Sequence, residues 1–429
     1  MCVYVIVRKY VMNSIIIFVF VLGYLAIMLE QKIAVNKAAS ALLAAVVCWV
    51  IYFIGASTHD KLMGLHLNQH LAAVTQVVIF ILGTMTIAEL IDAHRGFQVI
   101  ADLIKAKSKR QLLWQISFFT FFISSFLVNM TVAVIMIALM RRLVSERSDR
   151  WIFASMIVVA SNAGGAWTPI GDTTTTMLWI GGEISTWNIM RDVFVPSAVS
   201  FVVPLIYFSW TMKDEPLAHS ISTAEPPSRH AKTVLALGII SMLLVPVLTT
   251  ITNIPPYMGV LLMLALMWVL TDRINSEKHE LRVPHVLTKV DISSIFFFLG
   301  ILLMVAALET AGILKDLQVW MDEVFKSKDI IVTIMGLASS VVDNIPLTAA
   351  AMGMYDLNAF PRDSKLWEMV AYCAGTGGSI LIIGSPAGIV AMAMEKIEFG
   401  WYLKKVSLPV LVGYLAGIGT YLIIYRFIN

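Results

Sequence analysis

Two stretches of this chain are written twice, both times in residues that a membrane-spanning helix ordinarily avoids. SSFLVN, ending at Asn129, returns as SSVVDN, ending at Asn344. NAGGAWTPIGD, with Gly164, Gly165, Pro169 and Gly171, returns as GTGGSILIIGS, with Gly377, Gly378 and Gly384. Gly83 and Gly96 find counterparts in Gly300 and Gly312 at nearly the same offset, so the chain is a duplicated unit. In hydrocarbon, a peptide group without its helical partner must be satisfied by protein or by a water-filled cavity. Polar, glycine-rich interruptions at matched places in two halves are the pattern of broken helices lining a transporter's substrate site.

Composition supports that setting. Charged residues make up 14% of the chain against about 25% in a soluble domain, hydrophobic residues make up 59%, and the mean hydropathy is +0.82. These values predict an integral membrane protein. A net charge of +3 does not point to nucleic acid. There is no phosphate-binding loop or Gly-x-Ser-x-Gly elbow to suggest a nucleotide partner or an enzyme. Cys2, Cys48 and Cys373 lack metal-ligand spacing, and no cofactor is expected.

Apolar segments fall near 12–29, 34–56, 70–91, 151–181 and 187–212, then 231–252, 256–272, 290–308, 366–394 and 401–425. They predict an all-α membrane protein of about ten transmembrane helices, five in each copy. Between the third and fourth spans of each copy lie 111–141 and 329–354, apolar stretches with polar centres. These predict re-entrant hairpins. Each is preceded by an amphipathic piece suited to the interface, 100–110 and 313–325. Because five is odd, the second copy is inverted relative to the first. The expected organisation is an extension at 1–11, a first repeat at 12–212, a linker at 213–230 and a second repeat at 231–429.

Most of the chain's 31 Lys and Arg residues, among them Lys105, Lys107, Arg141, Arg142, Arg147, Arg150, Arg273, Lys404 and Lys405, then fall on one face. The positive-inside rule makes that face cytoplasmic, places the linker inside and sends both termini outside. Arg8 and Lys9 fit poorly, through either a true start at Met12 or simple tolerance. No small-residue cleavage site follows the first apolar run, so a removable signal peptide is not expected.

The chemistry is expected where the helices break. A sodium or lithium ion that sheds water needs several oxygen ligands, and a helix unwound at glycines offers free carbonyls beside polar side chains. SNAGGAWTPIGDTTTT supplies Ser161, Asn162, Thr168, Asp172, Thr173, Thr174 and Thr175 around such a break. A kinked helix whose threonines bond their own carbonyls is the plainer alternative. Asp172 and Asp343 stand out because an ionised carboxylate at mid-membrane costs about 2.5–3.5 kcal/mol unless it is protonated, hydrated or paired with a cation. Asp172, Asn129 and Asn344 are the candidate sodium or lithium ligands. Neither motif contains Lys or Arg, which favours a cationic substrate over an anionic one. Glu89 is a weaker candidate, near the cytoplasmic end of its span. His59, His66 and His70 fall in an expected outer loop, more simply solvated than metal-binding.

KAASALLAAVVCW at 37–49, GTMTIAELIDAH at 83–94, SNAGGAWTPIGDTTTTMLW at 161–179, SSVVDNIPLTAA at 339–350 and GTGGSILIIGSPAG at 375–388 together resemble the NhaD-type sodium/proton antiporters over essentially the whole chain. The resemblance implies a multi-pass antiporter of the bacterial inner membrane that expels Na+ or Li+ and admits H+, acting as a homodimer. Carried over by motif, the implied functional set is Glu89, Asn129, Asn162, Asp172, Thr174, Thr175, Asp343, Asn344 and Ser379. One departure matters: the family commonly has Asp-Asn in both hairpins, whereas the first hairpin here reads Val128-Asn129. A sodium-coupled carboxylate symporter or oxyanion permease of the same superfamily is the alternative, for which neutral hairpin tips and breaks would be expected.

Overall fold

The computed structural model describes residues 2–55, 62–101, 103–217, 230–274 and 279–428. The described chain is helical throughout apart from one isolated bridge between Ser108 and Pro216. Its main helices are α1 (Cys2–Met28), α2 (Lys37–Gly55), α3 (Leu62–Ala93), α4 (Lys109–Ser124), α5 (Asn129–Leu143) and α6 (Arg147–Gly165). Next come α7 (Thr173–Gly181), α8 (Thr186–Thr211), α9 (Ala231–Thr252), α10 (Pro256–Ile274), α11 (Ile292–Thr310) and α12 (Ile313–Phe325). The remainder are α13 (Lys328–Ala338), α14 (Asn344–Met354), α15 (Lys365–Gly377), α16 (Pro386–Glu395) and α17 (Ser407–Ile428). Among the described residues, 8 helices are long and apolar enough to cross a membrane: α1, α2, α3, α8, α9, α10, α11 and α17. The chain is an all-helical, multi-span membrane protein. The segments 151–181 and 366–394 instead form helix–break–helix pairs, α6–α7 and α15–α16.

Chain contacts gather into two compact units, each drawing on both halves of the sequence: Met1–Leu82 with Asp291–Lys328 and Ala349–Phe360, and Gly83–Val290 with Asp329–Thr348 and Pro361–Asn429. In the first, small residues let helices approach closely, as membrane helices without a hydrophobic drive between them require. Ala38, Ala41, Ala44, Ala45 and Cys48 form the buried stripe of α2. A Cβ added at Gly300 of α11 would lie 2.7 Å from the Leu42 backbone nitrogen. Trp49 Nε1 donates to the Leu303 carbonyl at 2.8 Å, satisfying its one polar group. The amphipathic α12 buries Ile313, Leu314 and Met321 and exposes Trp320 and Val324.

In the second unit the duplication becomes physical. A Cβ on Gly164 of α6 would meet the Phe121 carbonyl oxygen of α4 at 2.1 Å, and one on Gly377 of α15 would meet the Gly336 carbonyl oxygen of α13 at the same 2.1 Å. Ser124 Oγ donates to the Ser161 carbonyl at 2.6 Å, and Ser339 Oγ to the Ala374 carbonyl at 3.0 Å. Each broken helix is thus seated against the first arm of its own hairpin through the same contacts. Their ends are tied as well. Buried Glu395, at the end of α16, accepts from Arg141 Nε of α5 at 2.5 Å and from Arg150 Nε of α6 at 3.0 Å. At other ends, Asp363 N donates to the Glu183 carbonyl at 2.8 Å and Tyr421 Oη of α17 donates to Glu368 of α15 at 2.7 Å.

Several expectations are corrected. α3 begins at Leu62 rather than near residue 70, because 62–69 has no proline to stop it; His66 and His70 are therefore helical, with the His70 ring 6.2 Å from that of Trp49. Within the amphipathic stretch 100–110, helix ends at Ala101, and Ser108 caps α4 by accepting from Gln111 N. The last span starts at Ser407, after a separate short helix at Phe399–Lys405. His59 and residues 218–229 of the linker lie outside the described residues.

The close glycine contacts set a measurable cost. Gly164→Ala and Gly377→Ala each push a methyl into backbone, so each is expected to destabilise the detergent-solubilised protein by about 1–3 kcal/mol. Gly400→Ala meets nothing within 4 Å and serves as the control, with an expected change within about 0.5 kcal/mol; thermal unfolding measures all three.

Candidate functional site

The first break is built from its own sequence. After Gly165 the chain leaves the helix, and Pro169 has no N–H to lose. Two freed carbonyls are taken up locally, Asp172 O by Thr175 Oγ1 at 3.0 Å and Pro169 O by Thr176 Oγ1 at 2.9 Å, while Thr168 Oγ1 donates across to Ser125 O of the first hairpin at 2.5 Å. Gly171 N in turn donates to Thr168 Oγ1 at 3.1 Å. The plainer expectation for the threonine run therefore holds for Thr175 and Thr176, whereas Thr168 bonds across to the first hairpin. Asp172, in extended conformation at the N-cap of α7, is different.

Asp172 is 2% exposed and is met from three directions. Asn129 Nδ2, at the first residue of α5, donates to Oδ1 at 3.0 Å. Thr174 Oγ1 donates to Oδ2 at 2.7 Å, and Asn344 Nδ2, at the first residue of α14, donates to Oδ2 at 3.0 Å. Both hairpin asparagines thus converge on one carboxylate. Among the described residues, no Lys, Arg or His forms an ion pair with it.

The network continues inward. Asn129 Nδ2 also donates to Asn162 Oδ1 at 3.0 Å, and Asn162 Nδ2 donates to Ser379 Oγ at 2.9 Å and Ser385 Oγ at 2.8 Å. The two broken helices are joined through Asn162. Gly375 makes room beside the acid: a Cβ there would stand 3.6 Å from Asp172 Oδ2 and 3.0 Å from Ala166 Cβ. Asn344 is 1% exposed, and its Oδ1 accepts no hydrogen bond among the described residues.

Of the expected residues, Asp172, Asn129, Asn162, Asn344, Thr174 and Ser379 share this network. Thr173 and Thr175 are buried in the first turn of α7, with Thr175 turned to the backbone. Asp343 sits half-buried at the second hairpin tip, immediately before Asn344. Gly164, Gly165, Pro169, Gly171, Gly377, Gly378 and Gly384 form the breaks, and Gly165–Gly171 and Gly378–Gly384 are each too close for a Cβ between them. Glu89 is half-buried on α3, in electrostatic range of Asp92 and Lys289, and makes no hydrogen bond to the network among the described residues. Ser385 was not anticipated. The signal lay in the repeat: Asp172 and Ser385 each follow the last glycine of their motif.

A desolvated carboxylate, an unpartnered amide oxygen and hydroxyl oxygens form a donor set for a small hard cation, which prefers oxygen ligands. A proton on the carboxylate is the alternative means of cancelling its charge at such depth.

Comparison with known proteins agrees with that chemistry. Residues 24–367 match the family described as Citrate transporter. The chain is 45% identical to Sodium/proton antiporter 1 of Arabidopsis thaliana, over 95% of this chain and 72% of that one. It is 27% identical to the Na(+)/H(+) antiporter NhaD of Vibrio cholerae, over 95% of this chain and 90% of the relative. The chain belongs to the citrate-transporter family, in its NhaD-type sodium/proton antiporter branch. The crystal structure of the Alcanivorax borkumensis YdaH transporter superposes with a TM-score of 0.57 at 11% identity, covering 97% of this chain and 98% of that one, a likeness of fold. This antiporter-family chain is a transporter, not an enzyme.

Asn162 is the hinge of the network. Asn162→Ala leaves Asn129, Ser379 and Ser385 without their shared partner, and a buried polar group left unsatisfied costs about 1–3 kcal/mol. The expected result is a lowered thermal midpoint in a protein that still purifies as a folded species, and weakened sodium binding by calorimetry.

Proposed function

We propose that this protein is a secondary antiporter that exchanges Na+ or Li+ for H+, with Asp172 as the group that carries either the cation or the proton. The observation that carries the reading is the buried carboxylate of Asp172, held by Asn129, Asn344 and Thr174 with no ion pair to a basic side chain among the described residues. The relatives named sodium/proton antiporters support it. In the cation-loaded state the ion takes the negative charge of Asp172, with Asn344 Oδ1 as a neutral ligand; when the cation leaves, a proton replaces it. Asp343, beside Asn344, is a second acid for the same exchange. A sodium-coupled carboxylate symporter is the rival reading, favoured only by the description of the wider family. An anionic substrate would face an uncompensated acid at this site.

The topology inferred for this cycle has α6–α7 and α15–α16 as broken spans, ten crossings in all, and α4–α5 and α13–α14 as re-entrant hairpins entering from opposite faces. Residues 12–212 and 231–429 are then inverted repeats joined by a cytoplasmic linker at 213–230. The duplicated glycine contacts support the repeats, and Arg141, Arg147, Arg150, Lys404 and Lys405 support the cytoplasmic side. A homodimer in the bacterial inner membrane completes the inference. Such a dimer is resolved by crosslinking in native membranes.

In everted vesicles carrying a pH gradient, sodium or lithium is expected to dissipate it, and potassium less. Asp172→Asn and Asp343→Asn keep side-chain shape and are expected to reduce exchange to background. Sodium at about 100 times its dissociation constant should stabilise the wild type by about 2.7 kcal/mol and leave Asp172→Asn unchanged. Sodium-driven accumulation of a dicarboxylate without proton movement would overturn the assignment.

Orientation is checked separately. A cysteine introduced at Glu215 is expected to resist an impermeant reagent added to intact cells and to react once the membrane is opened. Labelling from outside reverses the topology.

A further inference from the structure

The two broken helices have equivalent backbones and unequal charge. Asp172 caps α7 at φ −136°, ψ 149°, and Ser385 caps α16 at φ −147°, ψ 155°. Behind them a Cβ at Gly165 would meet Gly171 O at 2.8 Å, and one at Gly378 would meet Gly384 O at 2.7 Å. Together with the matched seating of Gly164 on Phe121 and Gly377 on Gly336, these contacts fix Ser385 as the positional counterpart of Asp172. The hairpins are unequal in the opposite sense, since the first copy has Val128 before Asn129 and the second has Asp343 before Asn344.

Each copy therefore carries one of the two acids, and of the two helix breaks only the one before α7 carries a carboxylate, its mirror before α16 being neutral. The hydrogen bonds follow that division. Asn129 and Asn344, one from each hairpin, both turn their amide nitrogens to Asp172. Neither reaches Ser385. The fully buried Ser385 Oγ accepts instead from Asn162 Nδ2 at 2.8 Å and from Gly388 N at 3.2 Å, so its acceptor capacity is spent on the protein. Ser379 Oγ accepts from the other proton of the same amide. Asn162 turns its donors, not its oxygen, toward the mirror break, an orientation that repels a cation.

We propose that Ser385 is a specificity-determining residue: standing without charge where Asp172 has its mirror position, it confines the transported alkali cation to the Asp172 break and limits each chain to one cation per cycle. The physical basis is that a cation brought to such depth needs a counter-charge, and a hydroxyl with an amide N–H directed at it supplies none. The proposal rests on the antiporter reading, and it adds the number of ions and the residue that sets it.

Calorimetric titration of the purified full-length protein in lipid nanodiscs with sodium chloride tests it. The wild type is expected to bind one sodium per chain, and two would overturn the proposal. The double variant Val128→Asp with Ser385→Asp puts an acid at each position whose counterpart in the other copy is acidic, and is expected to bind two. If that variant is folded by thermal unfolding and still binds one, Ser385 does not set the number and the proposal fails. If it does not fold, the single variant Ser385→Asp is titrated with the same two readings: a second equivalent supports the proposal and one equivalent rejects it. Wild type that gives no sodium heat and no sodium-driven proton movement sinks the antiporter reading itself, a result distinct from either.

Discussion

The site in this antiporter depends on one interaction, the grip of two hairpin asparagines on the Asp172 carboxylate. Hydrogen bonds to a buried anion lower its cost but leave its charge in place. A carboxylate held by amide and hydroxyl donors, and by no guanidinium or ammonium, needs a mobile positive charge. That requirement sets the candidate site apart from a structural ion pair. Glu395 gives the contrast within the same unit: equally buried, it is clamped by Arg141 and Arg150 and is satisfied where it stands.

Glycine makes the grip geometrically possible. Gly164 and Gly377 remove the side chains that would hold the broken helices away from the hairpins, bringing backbone against backbone. The hydroxyls of Ser124 and Ser339 then tie each pair at matched carbonyls. Because the ends of the same helices are pinned by ionic and backbone contacts, the unwound centres are supported from both sides. Polar backbone at this depth is tolerable because Thr168, Thr175 and Thr176 occupy its bonding capacity.

Much of this was legible in the sequence, since the features concerned are local or repeated. The glycines and proline marked the breaks, the doubled SS-x-x-x-N marked the hairpins, and Asp172 was conspicuous as an acid among apolar residues. Less legible were the ends of elements. α3 runs to Leu62 because no residue stops it, whereas within 100–110 helix ends at Ala101 and Ser108 begins a new one. Hydropathy averaged over a window does not detect either event.

The sequence by itself determined that the chain is a duplicated, helical membrane protein with acids at its interruptions, because repeat, hydropathy and helix-breaking chemistry are carried by neighbouring residues. Only the tertiary structure decided that Asn129 and Asn344 share Asp172, that Asn162 bridges to Ser379 and Ser385, and that Glu89 makes no hydrogen bond to this network. Those are choices among partners far apart in sequence, several of similar chemistry. An asparagine offers a donor and an acceptor at the same place, and which of them meets the acid is settled by how the helices close on one another.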